Sequence, residues 1–132
     1  MKLFEIIIAT IPLRNLSEAR FTSFKKAREI SILRKKVESE ADFYAKEERK
    51  LIEKYAEKNE KGEVIFLDGG RIKLKDLATK EAFEKEIIAL KELDIENIEK
   101  VALSESDFAD VKNIPTPNEL LALEAIIDFG EE

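Results

Sequence analysis

The chain has 132 residues, of which 44% are hydrophobic and 39% are charged, and its formal net charge is −6. This length suits one domain with a small core, and the excess of charged residues is typical of long solvated helices. The chain has no cysteine and no histidine, which excludes disulfides and thiol chemistry and removes the commonest general base. The negative net charge argues against non-specific binding of nucleic acid.

The first segment, Leu3–Ala9, is short and rich in isoleucine, and Pro12 follows it. This pattern predicts a buried or half-buried β-strand. Glu5 lies inside the apolar run and no small-residue cleavage site follows, so we do not expect a signal peptide. No run reaches the length of a transmembrane helix. We therefore expect a soluble intracellular protein. Residues Pro12–Ala19 fit either a short helix or a loop.

A long helix is predicted from about Phe24 to about Asn59, a stretch without glycine or proline. Apolar residues recur along it at spacings of three and four, apart from one skipped turn, and therefore share one face. They are Ile30, Leu33, Val37, Ala41, Tyr44, Leu51 and Tyr55.

A β-hairpin is predicted over Val64–Leu74, because Asp68-Gly69-Gly70 separates two β-prone runs and suits a type I′ turn. A second helix should begin at about Thr79, and one or two short strands should follow between Leu93 and Leu103.

A last helix is predicted from the segment Thr116–Glu119 to about Asp128. Thr116 suits the N-cap, Pro117 suits the first helical position, and Glu119 completes a capping box. The predicted fold is therefore a single α+β domain, residues 1–132, with one long charged helix, a small antiparallel sheet that includes the hairpin, and two shorter helices.

Charge is divided unevenly along the chain. Residues 14–36, the basic segment, hold eight lysines or arginines and two acids, whereas residues 92–132, the acidic region, hold twelve acids and two lysines. Such a division allows the basic segment to attract the acidic region, either within one molecule or between copies of the chain. The candidate acidic docking surface consists of Glu92, Asp94, Glu96, Glu99, Glu105, Asp107 and Asp110.

A second candidate surface lies on the long helix, on the side away from its apolar stripe. It combines basic and apolar residues, namely Phe21, Lys25, Arg28, Ile32, Lys35, Lys36 and Phe43. Basic groups interleaved with aromatics can hold nucleic acid, but the helix beyond Lys36 is balanced in charge, and we do not expect that partner. A second apolar side on a long helix favours contact with another subunit. The alternative is that the chain's own C-terminal helix covers it.

Carboxylates remain as candidates for acid–base or metal chemistry, at Glu38, Glu40 and Asp42 and again at Glu105, Asp107 and Asp110. Magnesium and calcium need several oxygens that converge on one point, and neither group has the pattern of a calcium loop. Ser104 and Ser106 fit helix or turn caps better than nucleophiles, because no base is available to activate them. We assign no catalytic residue, no metal ligand and no cofactor. An enzyme that depends on carboxylates stays a third alternative.

Several segments resemble a family of small uncharacterised proteins from tailed phages and prophages of Gram-positive bacteria. The resemblance rests on Lys26–Ile30, Lys35–Glu38, Glu47–Tyr55, Phe83–Glu86, Leu93–Val101 and Leu120–Ile127. The strand predicted over Leu3–Ala9 fits the family less well. The family has no established activity, so the resemblance implies a phage setting and no mechanism.

These patterns together predict a non-enzymatic phage or prophage protein that acts through self-association and protein contacts, in a structural or assembly role. It would act in the cytoplasm of the bacterial host or in the virion, as a homo-oligomer or with another phage or host protein, and without a membrane. The alternative is a small acidic inhibitor of a host defence protein that imitates nucleic acid.

Overall fold

The computed structural model describes residues 1–130, which form four α-helices and a two-stranded sheet. The helices are α1 (Leu3–Leu16), α2 (Phe24–Tyr55), α3 (Leu77–Lys91) and α4 (Pro117–Leu123), and the strands are β1 (Val101–Leu103) and β2 (Ile127–Phe129). The chain divides into two compact units. Unit 1 combines Met1–Asp42 with the described residues from Asp94 on, and unit 2 is Phe43–Leu93. The boundary at Asp42 falls inside α2.

The strand predicted over Leu3–Ala9 is wrong, because this segment begins helix α1. The reason is visible only over the whole helix, whose buried residues follow one another at helical spacings of three and four. They are Leu3, Ile6, Ala9, Leu13 and Leu16. Glu5 supports the start, since its Oε1 accepts a hydrogen bond from the backbone N–H of Lys2 at 3.0 Å. Pro12 lies inside the helix and does not end it.

The predicted antiparallel sheet with a hairpin is also wrong, because the sheet is a parallel pair of β1 and β2. Between Val64 and Leu74 only isolated antiparallel bridges form, such as Phe66 with Ile72, around a 3-10 turn at Asp68–Gly70.

Backbone pairing around this turn explains why no ladder develops. The N–H of Glu57 donates to Lys73, that of Lys73 to Ile65, and that of Ile65 to Glu57, at 2.8, 2.9 and 2.9 Å respectively. Three chain segments therefore share these hydrogen bonds. No two of the segments pair over enough consecutive residues to form strands.

The long helix and the second helix are confirmed, with α2 ending at Tyr55 and α3 beginning at Leu77. The capping box of α4 is confirmed as well, because the Thr116 hydroxyl accepts a hydrogen bond from the N–H of Glu119. Its predicted end at Asp128 is wrong. The chain leaves the helix after Leu123, and Ile127 pairs with Val101 in the parallel sheet.

The core lies in unit 1, where α1, the first half of α2, α4 and both strands contribute buried side chains. They include Ile6, Leu13, Ile30, Leu33, Val37, Leu103, Leu123, Ile126 and Ile127. In unit 2 the buried residues are Ala56 and Leu90, and the Tyr55 and Phe83 rings meet edge to face at a centroid distance of 6.1 Å. Unit 1 therefore holds most of the buried apolar surface.

Candidate functional site

Helix α1 is apolar on two opposite sides. One side fills the core of unit 1, and the other carries Phe4, Ile8 and Ile11, which are 38%, 55% and 64% exposed. Spacings of four and three place these three side chains on one face of the helix. A helix that is hydrophobic all round is normally buried all round. The outer side of α1 is therefore a candidate contact surface.

Helix α4 extends this surface within unit 1. It packs against α1, and its Leu121 is 70% exposed. Ile8 and Leu121 line the same open cavity of about 290 Å³. We call Phe4, Ile8, Ile11 and Leu121 the α1–α4 face. Exposed apolar residues grouped on neighbouring helices make this face a candidate interaction site.

Charged residues of both signs border the α1–α4 face. Glu5, Glu124 and Lys100 line the cavity that Ile8 and Leu121 share. Glu5 already accepts the hydrogen bond from the Lys2 N–H. Within residues 1–130, neither Lys100 nor Glu124 forms an ion pair with another side chain. Glu5 keeps its negative charge in that hydrogen bond, so this border presents one cation and two anions to a partner.

The structure separates the members of the predicted interaction surface on α2. The sequence predicted Phe21 on the outer side of the long helix. This prediction is wrong, because α2 begins at Phe24. Phe21 is half-buried against the core, with its ring centroid 5.4 Å from that of Phe108. The basic residues Lys25, Arg28, Lys35 and Lys36 are exposed. Ile32 is exposed in unit 1 and Phe43 in unit 2.

A groove between α2 and β1 brings parts of the two predicted surfaces together. Ile32 and Lys36 from the basic side and Glu99 from the acidic side line this groove of about 380 Å³. Lys26 spans it, since its Nζ donates a hydrogen bond to the Ala102 carbonyl at 2.7 Å and lies 3.5 Å from a carboxylate oxygen of Glu29. A lysine at the outer edge of β1 hinders another chain from pairing with this edge through backbone hydrogen bonds.

The predicted acidic docking surface is divided between solvent-facing and structural carboxylates. Glu96, Glu99 and Glu105 are exposed in unit 1. Asp107 accepts a hydrogen bond from the Ser104 N–H at 2.8 Å, and Asp110 accepts one from the Lys112 N–H at 2.9 Å. These two aspartates cap short 3-10 turns, Glu105–Asp107 and Val111–Asn113. Asp94 forms a backbone bridge with Lys2, and Glu92 ends α3 in unit 2.

Within unit 1, among residues 1–42 and 94–130, no ion pair joins the basic segment to the acidic region. The basic segment pairs instead with acids near it, through Arg14 and Arg34 to Glu38 and through Lys26 to Glu29. Exposed carboxylates of the acidic region consequently face solvent.

The carboxylates considered for chemistry do not converge. Among residues 1–130, no group of three or more acidic side chains is placed to hold a metal ion. The hydrogen bond from Arg34 lowers the pKa of Glu38, and the charges of Arg34 and Arg14 add to this effect. Glu38 is thus held as a carboxylate by neighbouring guanidinium groups.

A cluster of titratable groups, Lys54, Tyr55 and Glu86, lies in unit 2. Hydrogen bonding to Tyr55 and the charge of Lys54 lower the pKa of Glu86, while hydrogen bonding to Tyr55 and the charge of Glu86 raise that of Lys54. Both shifts favour the charged forms, with Nζ and the carboxylate 3.5 Å apart. A catalytic lysine or general acid needs the opposite shifts. We interpret the cluster as an ion pair that joins α2 to α3.

Sequence reasoning missed the α1–α4 face. The strand prediction for Leu3–Ala9 placed Phe4 and Ile8 on one side of a strand and gave Ile11 no role. The helical signal was present in Phe4, Ile8 and Ile11, together with the core series that begins at Leu3. This spacing predicts a helix only if Pro12 is accepted inside the helix.

Comparisons with known proteins give no relative. No family model, no curated protein and no solved structure matches the chain. The resemblance to phage and prophage proteins therefore stays a prediction. In the part of the chain that the structure describes, none of the helices combines the length and apolar character needed to cross a membrane.

Proposed function

We propose that this chain is a non-enzymatic phage or prophage protein that works through self-association and protein contacts, in a structural or assembly role. The observation that carries the proposal is the second apolar side of α1, where Phe4, Ile8 and Ile11 are exposed. Removing apolar surface from water contributes about 25 cal/mol per Å², so an uncovered face of this kind favours association. The resemblance to phage proteins supports the setting, in the host cytoplasm or the virion.

The absence of histidine and cysteine from the sequence supports the non-enzymatic part of the proposal. The Lys54–Tyr55–Glu86 cluster supports it too, because its pKa shifts stabilise an ion pair. The exposed apolar side chains of α1 and α4, in contrast, support a role in protein contacts.

The test is the mass of the protein in solution, measured by size-exclusion chromatography with light scattering over a range of protein concentrations at low and high salt. We expect a discrete multiple of the 15.1 kDa chain mass. An oligomer held by apolar contacts should persist in high salt, whereas one held by the basic and acidic segments should dissociate. A monomer at every concentration and salt would contradict self-association.

The alternative function, a small acidic inhibitor of a host defence protein, is favoured by the exposed carboxylates Glu96, Glu99 and Glu105. Such an inhibitor would dock this acidic surface on a basic host protein in place of nucleic acid. Replacing the three glutamates by lysine should then abolish binding to that host protein and leave folding intact. Unchanged binding would contradict the alternative.

A further inference from the structure

We infer that the α1–α4 face binds the same face of a second copy of this chain around a two-fold axis. This inference rests on the proposed function and specifies its partner and surface.

The α1–α4 face is apolar on two neighbouring helices. Phe4, Ile8 and Ile11 on α1 and Leu121 on α4 are exposed on elements that pack together in unit 1. Their opposite sides are fixed by fully buried residues such as Ile6 and Leu123. The face is thus presented by a rigid support, and binding would require little ordering of the backbone.

The border of the α1–α4 face carries charges of both signs. A two-fold interface applies the same patch twice, so its border must carry both signs in order to pair with itself. Lys100 and Glu124 meet this condition, since they line one cavity and neither forms an ion pair within residues 1–130. A strongly acidic or basic partner would be complemented by only one of them. In the two-fold arrangement, Lys100 of each copy pairs with Glu124 of the other.

The test uses substitutions at the centre and at the border of the face. Ile8→Asp and Leu121→Asp should each reduce the mass in solution to that of one chain, at concentrations where the unchanged protein is dimeric. Lys100→Glu and Glu124→Lys should each weaken the dimer several-fold, and the double variant should regain most of the loss. Val111→Asp is the control, because Val111 is an apolar residue outside the face and is 80% exposed, more than Ile8 and Leu121. Circular dichroism checks that each variant is folded.

Cross-linking gives a second readout that does not depend on weakening the dimer. The chain lacks cysteine, so Phe4→Cys, Ile8→Cys and Ile11→Cys each introduce a single thiol. Under oxidation at least one of them should form a disulfide-linked dimer, because residues beside a two-fold axis approach their own copies. Val111→Cys should not.

Three outcomes separate this inference from the proposed function. A wild-type monomer at all concentrations overturns both. An oligomer that resists Ile8→Asp and Leu121→Asp overturns the two-fold α1–α4 contact and leaves self-association standing. An oligomer that Phe43→Asp disrupts while Ile8→Asp does not would move the interface to the outer side of α2 and would also overturn the inference.

Discussion

At the scale of single residues, Glu38 shows how a candidate catalytic carboxylate acts as a structural one. Arg34 donates from Nε to Glu38 at 2.9 Å and from Nη1 to the Ser17 hydroxyl at 2.7 Å. The hydroxyl of Ser17, which follows α1, donates to the Arg14 carbonyl. Arg34 thus links the end of α1 to α2 inside unit 1.

Glu38→Gln should therefore destabilise the protein in a pH-dependent way. The pKa of Glu38 is lowered from its ordinary value of 4.5 by the Arg34 hydrogen bond and the nearby positive charges. A lowered folded-state pKa contributes stability above the ordinary value, and this is lost as the pH falls through the folded-state pKa. Urea unfolding should show wild type more stable than Glu38→Gln at neutral pH, with the difference shrinking below pH 4.5. Glu40→Gln is the control, and an equal difference at both pH values would contradict this role.

Tyr44→Phe should change stability at alkaline pH. Burial, with the hydrogen bond to Glu48 and its charge, raises the pKa of Tyr44 from 10.0 to about 12. The neutral phenol is therefore favoured by folding, and its contribution is complete below pH 10 and is lost as the pH rises towards 12. Urea unfolding across this window should show wild type losing stability more steeply than Tyr44→Phe. Parallel curves would contradict the assignment.

At the scale of elements, α4 depends on its cap because it has only seven residues. Thr116→Ala removes the hydroxyl that accepts from the Glu119 N–H at 3.3 Å, and it should cost about 1 kcal/mol. Thr116→Ser, which keeps the hydroxyl, should cost less. Thermal unfolding of the three proteins makes the comparison, and equal stability of Thr116→Ala and wild type would show that the cap is dispensable.

The elements that could be predicted are those whose signals are local. Thr116-Pro117-Asn118-Glu119 marks a helix start by itself, and the stripe from Ile30 to Tyr55 fixes α2 through its period. Helix α1 could not be assigned in the same way, because three consecutive isoleucines favour a strand and Pro12 suggests a stop. What decides its state is the burial of Ile6, Ala9, Leu13 and Leu16 against distant parts of unit 1.

The parallel sheet depends on an even less local relation. Val101 pairs with Ile127, which follows α4 by only a few residues. The local sequence pattern favours a helix that continues to Asp128. Such a helix would include the residues of β2, and β1 would then have no strand to pair with. The exposure of Glu96, Glu99 and Glu105 could be expected from their charge alone, whereas Phe21 and the α1–α4 face could be placed only with the tertiary fold.

For the molecule as a whole, the two units differ in how much apolar surface they bury. Among the described residues, the largest fully buried side chains, such as Ile6, Val37 and Leu123, lie in unit 1, whereas the buried residues of unit 2 are Ala56 and Leu90, at 9% and 8% exposure. Regions with few buried contacts open more readily than a well-packed core, and opening sets the exchange of their amide hydrogens.

Helix α2 offers an internal comparison, because it contributes Leu33 and Val37 to unit 1 and Leu51 and Ile52 to unit 2. All four amides lie in the same helix, so differences in protection report on the units and not on the type of secondary structure. We expect native-state hydrogen exchange to be at least about tenfold slower at Leu33 and Val37, since 1.4 kcal/mol of opening free energy corresponds to a factor of ten. Equal protection along α2 would mean that both units unfold together, with the core of unit 1 setting the stability of the entire chain.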